Sequence, residues 1–385
     1  MVTVIKSEWH QVEKRYSAEF DVDLLSEIYS DKSKKEIVRI AVDIGGTFTD
    51  GLAVLTPGGR IWVAKTLTTP RDPGEAVTTV IADLLRQVTQ ANATADVTAN
   101  VTEVVHGTTL VTNTLIERKG AKTGLLVTQG MRDVYIIGRG NRPESYNLFF
   151  HKHRPLVPRH LTVEAKERVL ASGEVLDALD PKSVEAACKL FNEKGVKAVA
   201  VCFLHSYTSP EHERAAGEII RKNMPGVYLS LSHEILREYR EFERMSTTVV
   251  NAYIGPVVGG YVQSLDKSLR GIGFKGDLTI MQSNGGVMTP EVATQRPVAM
   301  MESGPVGGII ASAQFGVALG YQNVISFDMG GTTAKASLIK DGETTMAPGY
   351  YVGGYASGQP VMLPLVDVVE VGAGGGSIAW IDEVG

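Results

Sequence analysis

Hydrophobic positions along the chain alternate between two periods. IVRIAVDIGG, from Ile37, is a short buried strand closed by a glycine pair. GLAVLTPGGRIWVAKTLTT continues as two strands joined at Pro57-Gly58-Gly59, which is a β-hairpin signature. Asp72-Pro73-Gly74-Glu75 opens a helix, and Val77, Ile81, Leu84, Leu85 and Val88 recur behind it at helical spacing. VTEVVHGTTL reads as a strand running into a turn, NTLIERKG as a helix closed by Gly120, and AKTGLLVTQG as a further strand. After a polar stretch over 138–158, a helix over 183–193, the buried strand VKAVAVCFL and the helix SPEHERAAGEIIRKN continue the alternation expected of α/β layers. A helix-rich zone over 237–269 precedes DLTIMQSNGG, VGGIIASAQFGVALG, VISFDMGGTTAKASLI and VVEVGAGGGSIAWID. Residues 1–36 are polar and of mixed charge, an N-terminal arm with one short helix around 23–28.

Composition narrows the class. At 385 residues the chain has room for two domains with their own cores, and 43% hydrophobic with 21% charged residues describes a soluble globular protein. A net charge of −5 argues against nucleic acid or an anionic membrane as partner, while small anions can still bind locally. Cys188 and Cys202 sit in the apolar runs EAACKLF and AVAVCFL, which argues against a disulfide framework or zinc cluster and for a reducing, cytoplasmic compartment. No apolar run is long enough for a membrane span, and the first twenty residues lack the order of a signal peptide. The glycosylation sequons at Asn92 and Asn100 are read as chance. Glycine is frequent, 41 residues, and its placement carries the chemistry.

One glycine-rich unit occurs twice: Val42-Asp43-Ile44-Gly45-Gly46-Thr47-Phe48-Thr49-Asp50 and Phe327-Asp328-Met329-Gly330-Gly331-Thr332-Thr333-Ala334-Lys335. Laid together, Asp43 meets Asp328, the glycine pairs coincide, and apolar strands flank both. A turn without side chains lets backbone N–H groups approach phosphate oxygens, and threonine hydroxyls add donors. The preceding aspartate can hold Mg²⁺, directly or through water. Two such hairpins fit a cleft between related domains that clamps a polyphosphate from both sides. There is no G-x-x-x-x-G-K-[ST], and the run from Gly372 to Ser377 lacks the last glycine of a dinucleotide fingerprint.

The paired loops resemble the phosphate-1 and phosphate-2 loops of the actin, sugar-kinase and heat-shock-chaperone ATPase superfamily. DIGGTFTD, VVHGTTLVTNTLIERKGAKTGLLVTQGMRD, GRGNRPESYNLFF, MQSNGGVMTP, ESGPVGG, FDMGGTTAK and GAGGGSIAW are, more closely, similar to the hydantoinase A / 5-oxoprolinase family, which also supplies subunits of acetone and acetophenone carboxylases. The resemblance implies an α/β fold of two related actin/sugar-kinase-like (ribonuclease-H-like) domains with a nucleotide cleft. The expected division is the arm 1–36, a first ATPase-like domain over 37–230, and a second over 231–385. Family members usually run several hundred residues beyond GAGGGSIAW, so the C-terminal part is expected from another polypeptide or is absent here. The implied activity is ATP-dependent phosphorylation of a small carbonyl substrate, with Mg²⁺ or Mn²⁺ and a second, hydantoinase-B-type subunit. It is either opening of a cyclic amide or carboxylation of a ketone. A nucleotide-gated conformational protein and a plain sugar or acetate kinase are the competing classes.

Roles are then expected as follows. Asp43 and Asp328 are the Mg²⁺ and water-positioning carboxylates. Gly45, Gly46, Thr47 and Thr49 contact one end of the triphosphate, and Gly330, Gly331, Thr332 and Thr333 the other. Gly374 and Gly375 lie in a glycine-rich segment near the nucleotide. Asp50 and Lys335 hold equivalent places with opposite charge, and either pair across the cleft, address phosphate or are solvated. Gly304, in ESGPVGG, opens a helix whose amides accept phosphate or ribose, unless the glycines only permit close packing. His106 is either a catalytic imidazole at a strand end or a structural hydrogen-bonder. His151, His153 and Arg154 read as solvated loop. Residues 232–234 and the run REYREFER read as a helix face with i,i+4 charge pairs.

Overall fold

The computed structural model describes residues 37–56, 59–69, 73–91, 100–140, 146–152, 154–330, 334–354, 358–371, 374–375 and 377–378. The expected arm over 1–36, with its helix at 23–28, the turn residues Pro57 and Gly58, the cap Asp72, Asn92 and His153 lie outside them.

In chain order, the first elements are β1 (Ile37–Ile44), β2 (Phe48–Thr56), β3 (Arg60–Leu67), α1 (Pro73–Ala91), β4 (Val101–Thr108) and α2 (Leu110–Ile116). Strands β1, β2 and β3 form the antiparallel meander read from the hairpin signals, with Asp43 opposite Asp50. β4 lies parallel to β1 on its other edge. Alternation along β2 buries Thr49, Gly51 and Ala53 on one face and leaves Phe48, Asp50 and Leu52 on the other. The buried face takes α1, whose Val77, Val80, Ile81 and Leu84 enter one core with Ile40, Val42 and Ala53. α2 starts earlier than the expected helix and ends before Arg118, which takes φ 55°. Gly120 therefore does not close that helix by a positive φ: a Cβ there would stand 2.1 Å from the Tyr253 ring.

Next follow β5 (Thr123–Thr128), β6 (Thr162–Ala165), β7 (Arg168–Val169), β8 (Val175–Asp177), α3 (Pro181–Glu193), β9 (Ala198–Cys202), α4 (Glu211–Asn223) and β10 (Tyr228–Leu231). β10, β9, β5 and β6 make an all-parallel sheet with a core of its own, into which α3 and α4 bring Phe191 and Ile220. Cys188 and Cys202 are free thiols buried there, as their apolar context predicted. His151 and Arg154, on the preceding loop, are exposed.

α5 (Glu241–Gly271) is a single 31-residue helix containing Pro256. Its first half, with Phe242, Met245 and Val249, completes the core of the parallel sheet, and its second half, with Ile254, Val258, Val262 and Leu265, completes that of the first. Lying between the two cores, the helix is buried around its whole circumference from Arg244 to Gly255.

β11 (Asp277–Met281) then pairs in parallel with β4, and β12 (Val287–Met288) pairs antiparallel with β11. The first sheet therefore runs β12-β11-β4-β1-β2-β3. The boundary expected at 230/231 does not separate the two sheets: the open edge of β4 takes a strand from beyond it, so the parallel-sheet unit is inserted between β4 and β11. Sequence order alone assigns β11 to its chain neighbours. After α6 (Ser303–Ala318) comes a second hairpin, β13 (Val324–Met329) and β14 (Ala334–Lys340), with Asp328 opposite Lys335. One face of that hairpin packs on α6 through Val306, Ile309, Val324 and Ile339. On the other, Ile325, Phe327, Met329 and Leu338, with Val369 and Val371 of the neighbouring strand, are 44–64% exposed.

Gly51 sets how closely α1 approaches the first sheet, since a Cβ there would lie 2.1 Å from Val80 Cγ1. Gly51→Val should cost about 1–3 kcal/mol by overpacking, read as a lowered urea midpoint; an unchanged midpoint would refute this packing.

Candidate active site

The face of β1–β4 turned away from α1 forms one wall of a cleft of about 890 Å³, with α6 and β13 as the other. Asp43, Asp50, Lys65, Gly107, Gly304, Gly307 and Asp328 line it. The two glycine-rich hairpins thus bring Asp43 and Asp328 to the same space, although 285 positions separate them.

Asp43 is held by backbone. A Cβ on Gly304 would sit 2.4 Å from Asp43 Oδ1, and one on Gly107 would sit 3.0 Å from it. Glycine at 304 leaves the room that the carboxylate occupies at the start of α6, and a methyl group at 107 would press on it from the end of β4. Oδ1 is buried with no hydrogen-bond partner among the described residues. Burial pushes the Asp43 carboxyl up to about 6; the Asp50 and Asp328 charges add to this, and Lys335 opposes them. A buried carboxylate oxygen without a hydrogen-bond partner, on a side chain that feels the charges of Asp50 and Asp328, fits a hard divalent cation with oxygen ligands. No cluster of three or more metal-ligating side chains occurs among the described residues.

The first loop is stapled from β3's far end. Gly45 N–H donates to Phe48 O at 2.9 Å, Thr68 Oγ1 donates to Gly45 O at 2.9 Å, and Thr68 N–H donates to Thr47 O at 2.9 Å. Thr68, outside the repeated motif, carried no signal in the sequence. Gly46 faces open space, where a Cβ would touch nothing within 4 Å. Thr49 is fully buried against Thr68 Oγ1 at 3.1 Å. That corrects its expected phosphate contact, because strand alternation turns it to the core face. In the second loop Gly330 is described, while Gly331, Thr332 and Thr333 lie outside the described residues. Gly375 N–H donates to Gly330 O at 3.0 Å, and Gly374 N–H to Ser377 Oγ at 2.9 Å, which draws the distal glycine-rich segment beside this loop.

Asp50 and Lys335 do not pair with each other. Lys65 Nζ reaches Asp50 at 2.6 Å. Lys335 forms a close ion pair with Glu302 and stands 3.9 Å from Glu370. Glu302 opens the ESGPVGG motif, but motif reading gave it no role: it is buried, adopts φ 53° at the start of α6, and accepts from Thr112 Oγ1 at 3.0 Å. It ties α2 to the second hairpin.

His106 is not in the cleft. Alternation on β4 sends Val105 and Gly107 to the cleft and His106 to the opposite, fully buried face. Its Nδ1 meets Val42 O at 3.2 Å and its Nε2 meets Tyr261 Oη at 2.7 Å. The carbonyl can only accept, so the proton sits on Nδ1 and the tyrosine hydroxyl donates to Nε2. Burial lowers this imidazole to about 4. A catalytic role for His106 is therefore corrected to a structural one.

A mixed α/β fold with a carboxylate-lined cleft between two like hairpins defines the class, and comparison with known proteins gives the family. Residues 39–224 match the hydantoinase/oxoprolinase N-terminal region, and residues 244–385 match hydantoinase/oxoprolinase. The chain belongs to the hydantoinase/oxoprolinase family. It is 40% identical to an uncharacterised protein of Methanocaldococcus jannaschii over 90% of this chain and 51% of the relative. It is 35% identical to caprolactamase subunit alpha of Pseudomonas jessenii over 91% and 50%. The crystal structure of that ATP-dependent caprolactamase superposes with a TM-score of 0.79 at 34% identity, covering 90% of this chain and 49% of that one. The nucleotide-free structure of acetone carboxylase, an enzyme of ATP-dependent acetone carboxylation, superposes with a TM-score of 0.78 at 28% identity, covering 91% and 50%. The chain spans about half the length of the Methanocaldococcus jannaschii and Pseudomonas jessenii relatives. No helix among the described residues is long and apolar enough to cross a membrane.

The buried neutral imidazole gives a pH test. The folded state refuses a proton at His106 down to about pH 4, whereas the unfolded chain takes it up below its ordinary 6.5, so this contribution to stability is lost as pH falls from 6.5 to 4. Urea unfolding across that window should show a loss of about 3 kcal/mol that His106→Gln removes; an identical slope in the variant would refute it.

Proposed function

We propose that this chain binds MgATP in the cleft and phosphorylates the carbonyl oxygen of a small cyclic amide, as the ATP-binding part of a hydantoinase/oxoprolinase-type hydrolase. The observation that carries the reading is the convergence of Asp43 and Asp328, from two copies of one glycine-rich hairpin, on a single cleft. Family membership and the caprolactamase likeness support the substrate class.

In this reading Gly45, Gly46 and Thr47 on one side and Gly330 to Thr333 on the other offer backbone and hydroxyl donors to the phosphates. Asp43 and Asp328 would hold the magnesium ion, which neutralises phosphate charge when bound. The amide oxygen attacks the γ-phosphorus, the bond to the β–γ bridging oxygen breaks, and ADP leaves with that electron pair. Phosphorylation makes the amide carbon electrophilic: water adds to it, and the C–N bond breaks with its electron pair and a proton going to the nitrogen. Hydrolysis of the resulting acyl phosphate releases inorganic phosphate and the ring-opened amino acid. The transfer needs little from the protein beyond positioning and charge compensation. Gly304 contributes by leaving room for Asp43 as well as by opening α6 toward the cleft. Ring opening is assigned to a second, hydantoinase-B-type subunit, and the bare apolar face of the β13–β14 hairpin supports a further polypeptide layer over it.

The acetone carboxylase likeness supports a second reading, in which an enol phosphate meets activated bicarbonate. ADP release should be measured for the chain with its partner subunits, against caprolactam, 5-oxoproline and hydantoin, and against acetone and acetophenone with bicarbonate. Stimulation by a cyclic amide alone supports the hydrolase; stimulation only by ketone with bicarbonate replaces it with the carboxylase. Stimulation by neither refutes small-molecule phosphorylation.

Asp328→Asn should lower the stimulated rate by at least about 100-fold with the melting temperature kept, because a charge that faces the phosphates is lost; near-wild-type turnover would remove Asp328 from the site. Gly304→Ala should weaken MgATP binding by about tenfold or more in calorimetry, since its methyl group displaces the Asp43 carboxylate; unchanged affinity would show that Asp43 is not needed where it stands.

A further inference from the structure

The run REYREFER does not form the helix face that its charges suggest. α5 begins only at Glu241, Arg240 takes φ 75°, and the chain before it lies outside any helix. Residues 232–235 form a single separate turn of helix, in which His233 is buried rather than solvated. As a result Arg237 lines a cavity of about 530 Å³ together with Arg214, His233, Glu234, Ile235 and Arg296.

Three arginines line this cavity from three separate places: Arg214 from α4, Arg237 from the segment before α5, and Arg296 from the turn after the helix Pro290–Gln295. The guanidinium groups of Arg214 and Arg237 make no hydrogen bond or ion pair with the described residues. Arg296 is oriented by donation from Nη2 to Ile235 O at 3.0 Å. His233 is fixed from behind: its Nδ1 meets Glu213 Oε2 at 2.7 Å, and its Nε2 lies 4.0 Å from Glu234 Oε1 at the rim. Glu213 is itself fully buried. Burial works against its ionisation, but hydrogen bonds from His233 and Ser232, the Arg244 charge and the Phe203 amide outweigh that and hold it below the ordinary glutamate range. The wall is thus rigid and its open side carries three positive charges against one carboxylate. Ile235 is the one apolar residue in the lining, so the surface suits a hydrophilic occupant.

We propose that this cavity is a second binding site, for a small anion bearing two or more carboxylate or phosphate groups. Guanidinium forks meet both groups through paired N–H donors, and 530 Å³ accommodates a molecule of metabolite size. The cavity shares no lining residue with the cleft, so the proposal stands apart from the reading given to Asp43 and Asp328.

Calorimetric titration of the full chain with glutarate and, separately, with inorganic pyrophosphate, at low ionic strength, tests it. The expected result is saturable binding of at least one probe, weakened tenfold or more in Arg214→Gln/Arg237→Gln and kept within twofold in Asp43→Asn. Which probe binds tells the carboxylate source from the phosphate source. Both arginine side chains are exposed, so the double variant should melt within a few degrees of wild type; should it fail to fold, Arg237→Gln alone is expected to weaken binding at least threefold. No saturable binding of either probe, equal binding by the arginine variants, or loss confined to Asp43→Asn overturns the proposal.

Discussion

The contact on which the cleft depends is that of the Asp43 carboxylate with two glycine backbones. Gly107 ends β4 and Gly304 begins α6, and a methyl group on either would press on Oδ1. Three elements distant in sequence therefore meet at one acidic group. Burying that group without a hydrogen bond is unfavourable, and its raised proton affinity records the cost. In the proposed reading a cation in the cleft would offset that cost, so the packing around Oδ1 would favour its capture. Fold and chemistry are coupled at this point by close packing.

A second tie holds the facing wall. Glu302 joins Thr112 of α2 to Lys335 of the second hairpin, and it does so from a left-handed backbone conformation that a glutamate adopts only under constraint. Both partners are largely buried, and removing one would leave the other charge uncompensated, a loss of about 3–5 kcal/mol. Lys335 also lowers the proton affinity of Asp43, so the tie that orients the hairpin tempers the electrostatics of the cleft.

α5 gives the molecule its continuity. Its two halves complete two different hydrophobic cores, and its Tyr261 holds His106 beneath the cleft wall. The hairpin that carries Asp328 has a much smaller core, centred on α6, and its other face is bare and apolar. Burial thus anchors each hairpin from one face, the first against the large core under α1 and α5 and the second against the small core on α6.

Much of this was legible in the residues. The alternating period of β1–β3, the helical spacing of α1, and the apolar runs of β5 and β9 each depend on local physics, since one covered face imposes its period on the sequence. The repeat of Asp-x-Gly-Gly-Thr marked both hairpins, and the register confirms the match of Asp43–Asp50 with Asp328–Lys335. What the sequence could not supply was direction and long-range pairing. Thr49 and His106 have the right chemistry one residue out of phase, and a strand turns neighbouring side chains to opposite faces. Thr68, Glu302 and the placement of β11 beside β4 depend on contacts between segments far apart in the chain, where no period operates. The sequence by itself determined the elements, the two acidic glycine-rich turns and the family they belong to. Tertiary packing alone decided which side chains reach the cleft, because facing is set by which surface of each strand the helices cover.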